Sequence, residues 1–368
     1  MTPPGSTDAD WASLLAVADW HRVTGVLART LDSDQPVPAS VRAELAATHL
    51  HDTARSLVFD RARAGVSRSL GACGVPAMLL KGAALVEVVY PETSMRDMSD
   101  LDVLVPADRV ADATAALVQA GYAPLEEPPD GPPSRPARHD AKLVAPDGVV
   151  AVELHRHLVD GVDPARFDVA ELWSRARPGG SGDHVVPAPH DLLLHVALHF
   201  VAGREVRSEG ALSQVRDIAW VAERGGVDWS ALADVSRRFG VRARVQLALV
   251  ATRQLGLLRA PAAPMRLDEL DPGRVREFLS TRVLTDRARP PFGAWSADRA
   301  GLREALWWSR KHLGDTPAGE LPDTVPDQVG RVIDRSPALR HLARELVRAP
   351  RMSARDLRAG RWLGSLDG

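Results

Sequence analysis

The stretch Ser99-Asp100-Leu101-Asp102-Val103-Leu104-Val105 constrains this chain more than any other. It reads as a β-strand, where residues two apart share a face, so Asp100 and Asp102 lie on one side and Leu101, Val103 and Val105 on the other. Paired carboxylates on an otherwise apolar strand repel each other and resist burial unless a cation neutralises them. A divalent-metal site serving phosphoryl chemistry is the expectation that follows.

The neighbouring sequence builds an α/β unit around that strand. Val75 to Leu80 is a short apolar run suited to a buried strand. Lys81-Gly82 reads as a turn, Ala83 to Tyr90 as two helical turns, and Pro91 as their stop. Arg96 sits on the loop that leads into the acidic strand. A helix is expected from Pro106 to Ala120, a strand from Tyr122 to Leu125, and a loop over 126–138. A hairpin then pairs 139–145 with 149–155 across Pro146-Asp147-Gly148, a turn sequence. In its second strand Ala151, Glu153 and His155 face one way and Val150, Val152 and Leu154 the other, so Glu153 is a third acid in an apolar strand.

Upstream, 9–31 reads as an amphipathic helix and Ser40 to Leu70 as a longer one, with Leu45, Leu50, Leu57, Val58, Val66 and Leu70 on its apolar side. Gly71 and Gly74 end it. Beyond residue 160 the pattern is helical almost throughout, with helices expected from His190, over 211–224, 228–239 and 241–258, and in an Arg-rich tail. The expected divisions are an N-terminal helical segment (1–74), an α/β core (75–160), a helical domain (161–260) and a helical C-terminal extension (261–368).

Composition removes several classes of function. The net charge of -2 gives no general basic field for nucleic acid, which leaves it a disfavoured partner. Cys73 is the single cysteine, so neither an intrachain disulfide nor a cysteine-cluster metal site can form. The first residues lack the basic-then-apolar order of a signal peptide, and no apolar run has the length of a membrane span. A cytoplasmic protein without a membrane role is expected. Basic residues are almost all arginine; the lysines are Lys81, Lys142 and Lys311 alone, which singles out Lys81.

Asp100, Asp102 and Glu153 have the hard oxygen donors that suit Mg²⁺, with Mn²⁺ as a substitute. Two such ions held roughly 3.5–4 Å apart can activate an attacking oxygen and neutralise phosphates. The turn at Lys81-Gly82, at the start of a helix, offers backbone N–H groups and a positive dipole end to the phosphates of an NTP. Lys81 and Arg96 are expected as cationic clamps there.

Taken together, Leu79-Leu80-Lys81-Gly82, Tyr90-Pro91, Arg96, Ser99 to Val105 and Val152-Glu153-Leu154-His155 resemble the uncharacterised nucleotidyltransferase family of the DNA polymerase β superfamily. The resemblance covers 75–160 well and extends more loosely to Pro261, through Arg216-Asp217-Ile218-Ala219 and Val227-Asp228-Trp229. It implies an α+β fold, a small mixed sheet with flanking helices. It also implies Asp100 and Asp102 as paired metal ligands, Glu153 as the third carboxylate, and transfer of a nucleotide from an NTP to a small-molecule or protein acceptor. The superfamily usually carries Gly-Ser or Gly-Gly at the turn; this chain has Lys81-Gly82-Ala83, with no serine hydroxyl.

Two other classes stand beside this reading: a non-catalytic, nucleotidyltransferase-like interaction protein, such as the partner of a helical toxin, and an Asp-X-Asp glycosyltransferase using a nucleotide sugar. The latter needs a larger sheet upstream of the acids. Several residues are assigned bland roles. His155 reads as a packed neighbour of Glu153, and His139 and Lys142 as part of a surface strand. His195 and His199 read as packed on a helix, Asp217 as capped or paired, and Trp307-Trp308 as core or interface.

Overall fold

A computed structural model describes residues 8–30, 37–125, 141–158, 168–180, 183–202, 210–259 and 262–271, with 273, 275, 278 and 279. The expectations for the loop 126–138, for His139 and for the tail beyond 279 lie outside the described residues.

The chain opens with α1 (Asp8–Trp20) and α2 (Thr24–Thr30), followed by the long α3 (Ala39–Ala72). A single helix over 9–31 is therefore corrected to two. Arg22 adopts a left-handed φ of 55°, and Val23 N–H donates to Ala18 O at 2.8 Å, closing α1 with a tight wrap of the chain. Trp11 and Leu15 of α1 pack with Val41 and Leu45 of α3 in a small core of their own. Further along α3, Phe59, Val66 and Leu70 join the main core, but Leu50 and Leu57 are 72% and 65% exposed, against the expected apolar side. Gly74, at a φ of 62°, ends the helix as Val75 N–H reaches back to Leu70 O at 2.9 Å.

One α3 carboxylate is out of balance. Burial, followed by Asp97, pushes the Asp52 carboxyl up to about 6, against weaker pulls from His51, Arg55 and His49. A raised folded-state pKa gives stability that is complete below the unfolded value and is lost as pH rises through the folded one. Asp52→Asn is thus expected to raise Tm near roughly pH 7.5 and leave it unchanged near roughly pH 4. Solvent screening holds the gain to on the order of 1 kcal/mol. Thermal melts at the two pH values check this.

The central unit follows: β1 (Met78–Leu79), α4 (Lys81–Val88), β2 (Asp100–Leu104), α5 (Val110–Gln119), β3 (Ala123–Pro124), β4 (Ala141–Val144) and β5 (Ala151–His155). Next come α6 (Val169–Arg175), β6 (Arg177–Pro178), β7 (Val185–Val186), α7 (Pro189–Ala202), α8 (Ala211–Arg224), α9 (Trp229–Arg238) and α10 (Arg242–Gln254). The fold is α+β. Its mixed sheet has seven strands among the described residues, in the order β3-β4-β5-β2-β1-β7-β6.

The mainly helical expectation past residue 160 missed β6 and β7. β7 pairs parallel to β1, Met78 opposite Val185, and extends the sheet beyond the acidic strand's neighbour. Contacts distant in sequence hold this hairpin in place. His184 Nε2 lies 2.9 Å from Glu87 of α4, and its Nδ1 lies 2.9 Å from Ser67 Oγ of α3. Gly179 packs so closely on the same imidazole that a Cβ there would come 2.2 Å from Nε2. Two-residue strands carry no period-2 signal, which is why patterning could not find them.

One continuous core joins these layers, running from Phe59 and Val66 through Met78, Leu85, Leu101, Val103 and Leu154 to Leu193, Phe200, Ile218 and Leu247. α4 contacts both α7 and α8, so the helical half closes directly over the unit that carries the acids. Asp102 is consequently 3% exposed. Among the described residues no helix is long and apolar enough to cross a membrane.

Candidate active site

The site forms where β2 lies between β1 and β5. β2 and β5 run parallel with Asp100 opposite Ala151, Asp102 opposite Glu153 and Leu104 opposite His155. Since the pleat turns alternate residues to one side, Asp102, Glu153 and His155 converge on the same face. His155 Nε2 lies 2.8 Å from Asp102 Oδ1 and 3.8 Å from Glu153 Oε2. The backbone clamps this register further out, with Val105 N–H donating to His155 O at 2.9 Å.

β1 supplies the cation. Leu80 N–H donates to Asp102 O at 3.0 Å, which delivers the next residue, Lys81, to the acids. Lys81 Nζ donates to Asp102 Oδ1 at 2.5 Å. Lys81 is the first residue of α4 rather than part of a free turn, and it takes a left-handed φ of 43°. Such a conformation in a residue with a Cβ costs about 1–3 kcal/mol and persists where the surroundings over-determine it. Lys142, on β4 opposite Glu153, sends its Nζ to within 3.1 Å of Glu153 Oε1.

The charges shape one another. Burial opposes the Lys81 ammonium, yet Asp102, Asp100 and Glu153 outweigh it and lift its pKa above the ordinary lysine range. Burial would also raise Asp102, but Lys81 and His155 hold its carboxyl well below the usual carboxylate range. Asp100 sits at the mouth of the strand, half-buried, with Ser99 Oγ donating to its Oδ1 at 3.1 Å. Burial and the Asp102 and Glu153 charges push its carboxyl up to about 6, against Lys81 and Ser99. Behind the cluster on α7 is His195, fully buried. Burial, then Lys81, lowers its pKa to about 3, so the ring is neutral.

Of the residues expected at the site, the structure brings Lys81, Asp102 and Glu153 together and places Asp100 within electrostatic reach. Gly82 is the second residue of α4, and a Cβ there would meet Met98 Cγ at 2.9 Å, so its lack of a side chain is needed for packing. Gly82→Ala is expected to destabilise by about 1–3 kcal/mol through overpacking, and by much less when made in a Met98→Ala background. Denaturant midpoints of both variants measure it.

Arg96 goes elsewhere. Its Nε donates to Asp217 of α8 at 3.0 and 3.1 Å, its Nη2 lies 3.0 Å from the same carboxylate, and its Nη1 donates to the Asp97 carbonyl. Tyr90 donates its hydroxyl to Asp217 at 2.5 Å and accepts from Arg216 Nε at 2.9 Å. Asp217 is thus paired, as expected for an acid in an apolar helix.

One bland reading is overturned: Lys142 is an ion-pair partner of Glu153 rather than a residue of a plain surface strand. His155 is packed beside Glu153 as expected and is also hydrogen-bonded to Asp102. The period-2 count had already put His155 on the acid face; only its distance from Asp102, set by the β2–β5 register, was missing. Asp102, Glu153 and His155 offer ligand atoms that all lie within 4.8 Å of one another. That donor set, two carboxylates and an imidazole, fits a divalent cation.

The profile of the uncharacterised nucleotidyltransferase family matches residues 7–256, more than half of the chain. The chain belongs to that family. Membership spans the N-terminal helices, the sheet and the helices through α10, and it supports a nucleotidyltransferase role with an NTP substrate. The buried Asp102–Glu153–His155 cluster is compatible with metal binding in such a family member. No curated protein and no solved structure matches the chain significantly.

Proposed function

We propose that the protein moves a nucleoside monophosphate from an NTP to a hydroxyl or phosphate of a small-molecule or protein acceptor. Asp100, Asp102 and Glu153 would hold Mg²⁺, or Mn²⁺ in its place, two ions serving one transfer. Bound there, such ions neutralise the phosphates and lower the pKa of the attacking oxygen. The observation that carries the reading is the packing of Asp102, Glu153 and His155 ligand atoms within 4.8 Å inside a nucleotidyltransferase family member.

The chain's own groups divide the remaining work. Lys81, at the N-terminus of α4, sets an ammonium beside the acids where phosphate oxygens gain charge, and the Gly82 N–H stands at the positive end of the same helix. Asp100, half-buried at the start of β2, would take the proton of the acceptor hydroxyl. Arg96 serves the nucleotide through Asp217 and Tyr90, by holding the loop before β2 against α8.

One observation favours a second reading. The Lys81–Asp102 ion pair already neutralises the most buried acid, as it would in a nucleotidyltransferase-like interaction protein that has no need of metal. A glycosyltransferase has less support, because the described residues upstream of β1 form helices and no sheet.

The test is to incubate the purified full chain with each labelled NTP, Mg²⁺ and cell extract, and to follow transfer of label. A labelled small molecule or protein that disappears with Asp100→Asn is the expected result. Absence of both transfer and calorimetric binding of all four NTPs would overturn it in favour of the interaction protein.

A further inference from the structure

We infer that His155 Nε2 is itself a metal ligand, so that the site selects a first-row transition ion, with Mn²⁺ as its working probe, over Mg²⁺. The inference rests on the reading of this cluster as a metal site and changes both which ion it takes and which residues hold it, His155 replacing Asp100.

The geometry is specific to His155. Its Nε2 lies 2.8 Å from Asp102 Oδ1, an oxygen that Lys81 Nζ also reaches at 2.5 Å. Ligand atoms about 2.1 Å from an octahedral ion stand about 3 Å apart when adjacent and about 4 Å apart when opposite. The observed separations of 2.8 Å to Asp102 and 3.8 Å to Glu153 lie within the span of one such shell. An ion here would take the place of the hydrogen bond between His155 and Asp102. Asp100, by contrast, contributes no atom to the group that converges within 4.8 Å. The inner set is therefore two oxygens and one nitrogen, with Asp100 outside it.

That composition decides the preference. Mg²⁺ favours an all-oxygen shell, whereas an imidazole nitrogen strengthens binding along the series from Mn²⁺ to Zn²⁺. His155 cannot easily withdraw. It is 8% exposed, ends β5 opposite Leu104, and its backbone carbonyl is bonded to Val105.

The experiment uses the full chain, stripped of metal and titrated with MnCl₂, alone and with saturating NTP. Electron paramagnetic resonance follows the bound ion, and spin-echo modulation reports nitrogen in its shell. The expected result is nitrogen coupling in the wild type and retention of Mn²⁺ against about a tenfold excess of Mg²⁺. His155→Gln should lose the nitrogen signal and about tenfold or more of the Mn²⁺ affinity, with Mg²⁺ affinity little changed. If that variant does not fold, His155→Asn and the wild-type coupling decide the matter. Mn²⁺ that is bound without nitrogen coupling, lost on Asp102→Asn and displaced by equimolar Mg²⁺ would overturn the inference and leave the proposed transfer reaction standing. Failure of any ion to bind, with or without NTP, would remove both.

Discussion

Asp102→Asn is expected to reduce nucleotidyl transfer by on the order of a thousandfold or more, the scale seen when a group central to charge stabilisation is removed. Asp102 is the meeting point of the site: one oxygen accepts from Lys81 and lies against His155, and across the strand it faces Glu153. The amide keeps the shape but removes the charge. Lys81 then has lost its closest counter-ion, so stability should also fall, by about 3 kcal/mol, the lower end for breaking a buried pair, because Asp100 and Glu153 remain nearby. The two effects can be separated. Adding Lys81→Met removes the stranded ammonium and should recover most of the stability, while transfer stays lost. Parallel activity and denaturation measurements on the single and double variants check this. Full activity in Asp102→Asn would reject the proposed site.

Asp217→Ala is expected to destabilise the protein by about 3–5 kcal/mol, a large part of the 5–15 kcal/mol that holds an ordinary domain together. Asp217 is buried and accepts from both Arg96 and Tyr90. Removing it leaves a guanidinium and a phenol without their acceptor at the contact between the β2 approach and α8. The penalty comes from stranding the partner, so the double variant Arg96→Met/Asp217→Leu is expected to cost far less than the sum of its parts. A double-mutant cycle by urea denaturation measures it. The cycle also bears on function: if Arg96 acts only through Asp217, the double variant should recover KM along with stability, whereas a direct phosphate contact would leave KM raised in it.

Much of this was legible from local pattern. Alternation within Ala151 to His155 placed Glu153 and His155 on one face, and the same rule put Asp100 and Asp102 on theirs. Helix ends at Gly74 and Gly225, and the hairpin turn at Gly148, were readable because glycine marks them. The split between α1 and α2 was not, because Arg22 adopts a positive φ that its side chain does not announce. Nor was the exposure of Leu50 and Leu57, since an amphipathic count cannot tell which part of a long helix extends past the core it serves.

The destinations of the charged side chains mark the boundary. Sequence alone determined that three carboxylates on apolar strands needed positive charge, because burying them otherwise is prohibitive whatever the fold. It could not say which cations would come. Lys81 reaches Asp102 because Leu80 bonds to Asp102's carbonyl, and Lys142 reaches Glu153 because β4 pairs with β5 in one register. Arg96, which looked equally available, is taken by Asp217 from a helix more than a hundred residues away. Strand alternation acts over neighbours and is written in the local sequence. Partnership between charges depends on register and on the packing of distant helices, and only the tertiary structure decided it.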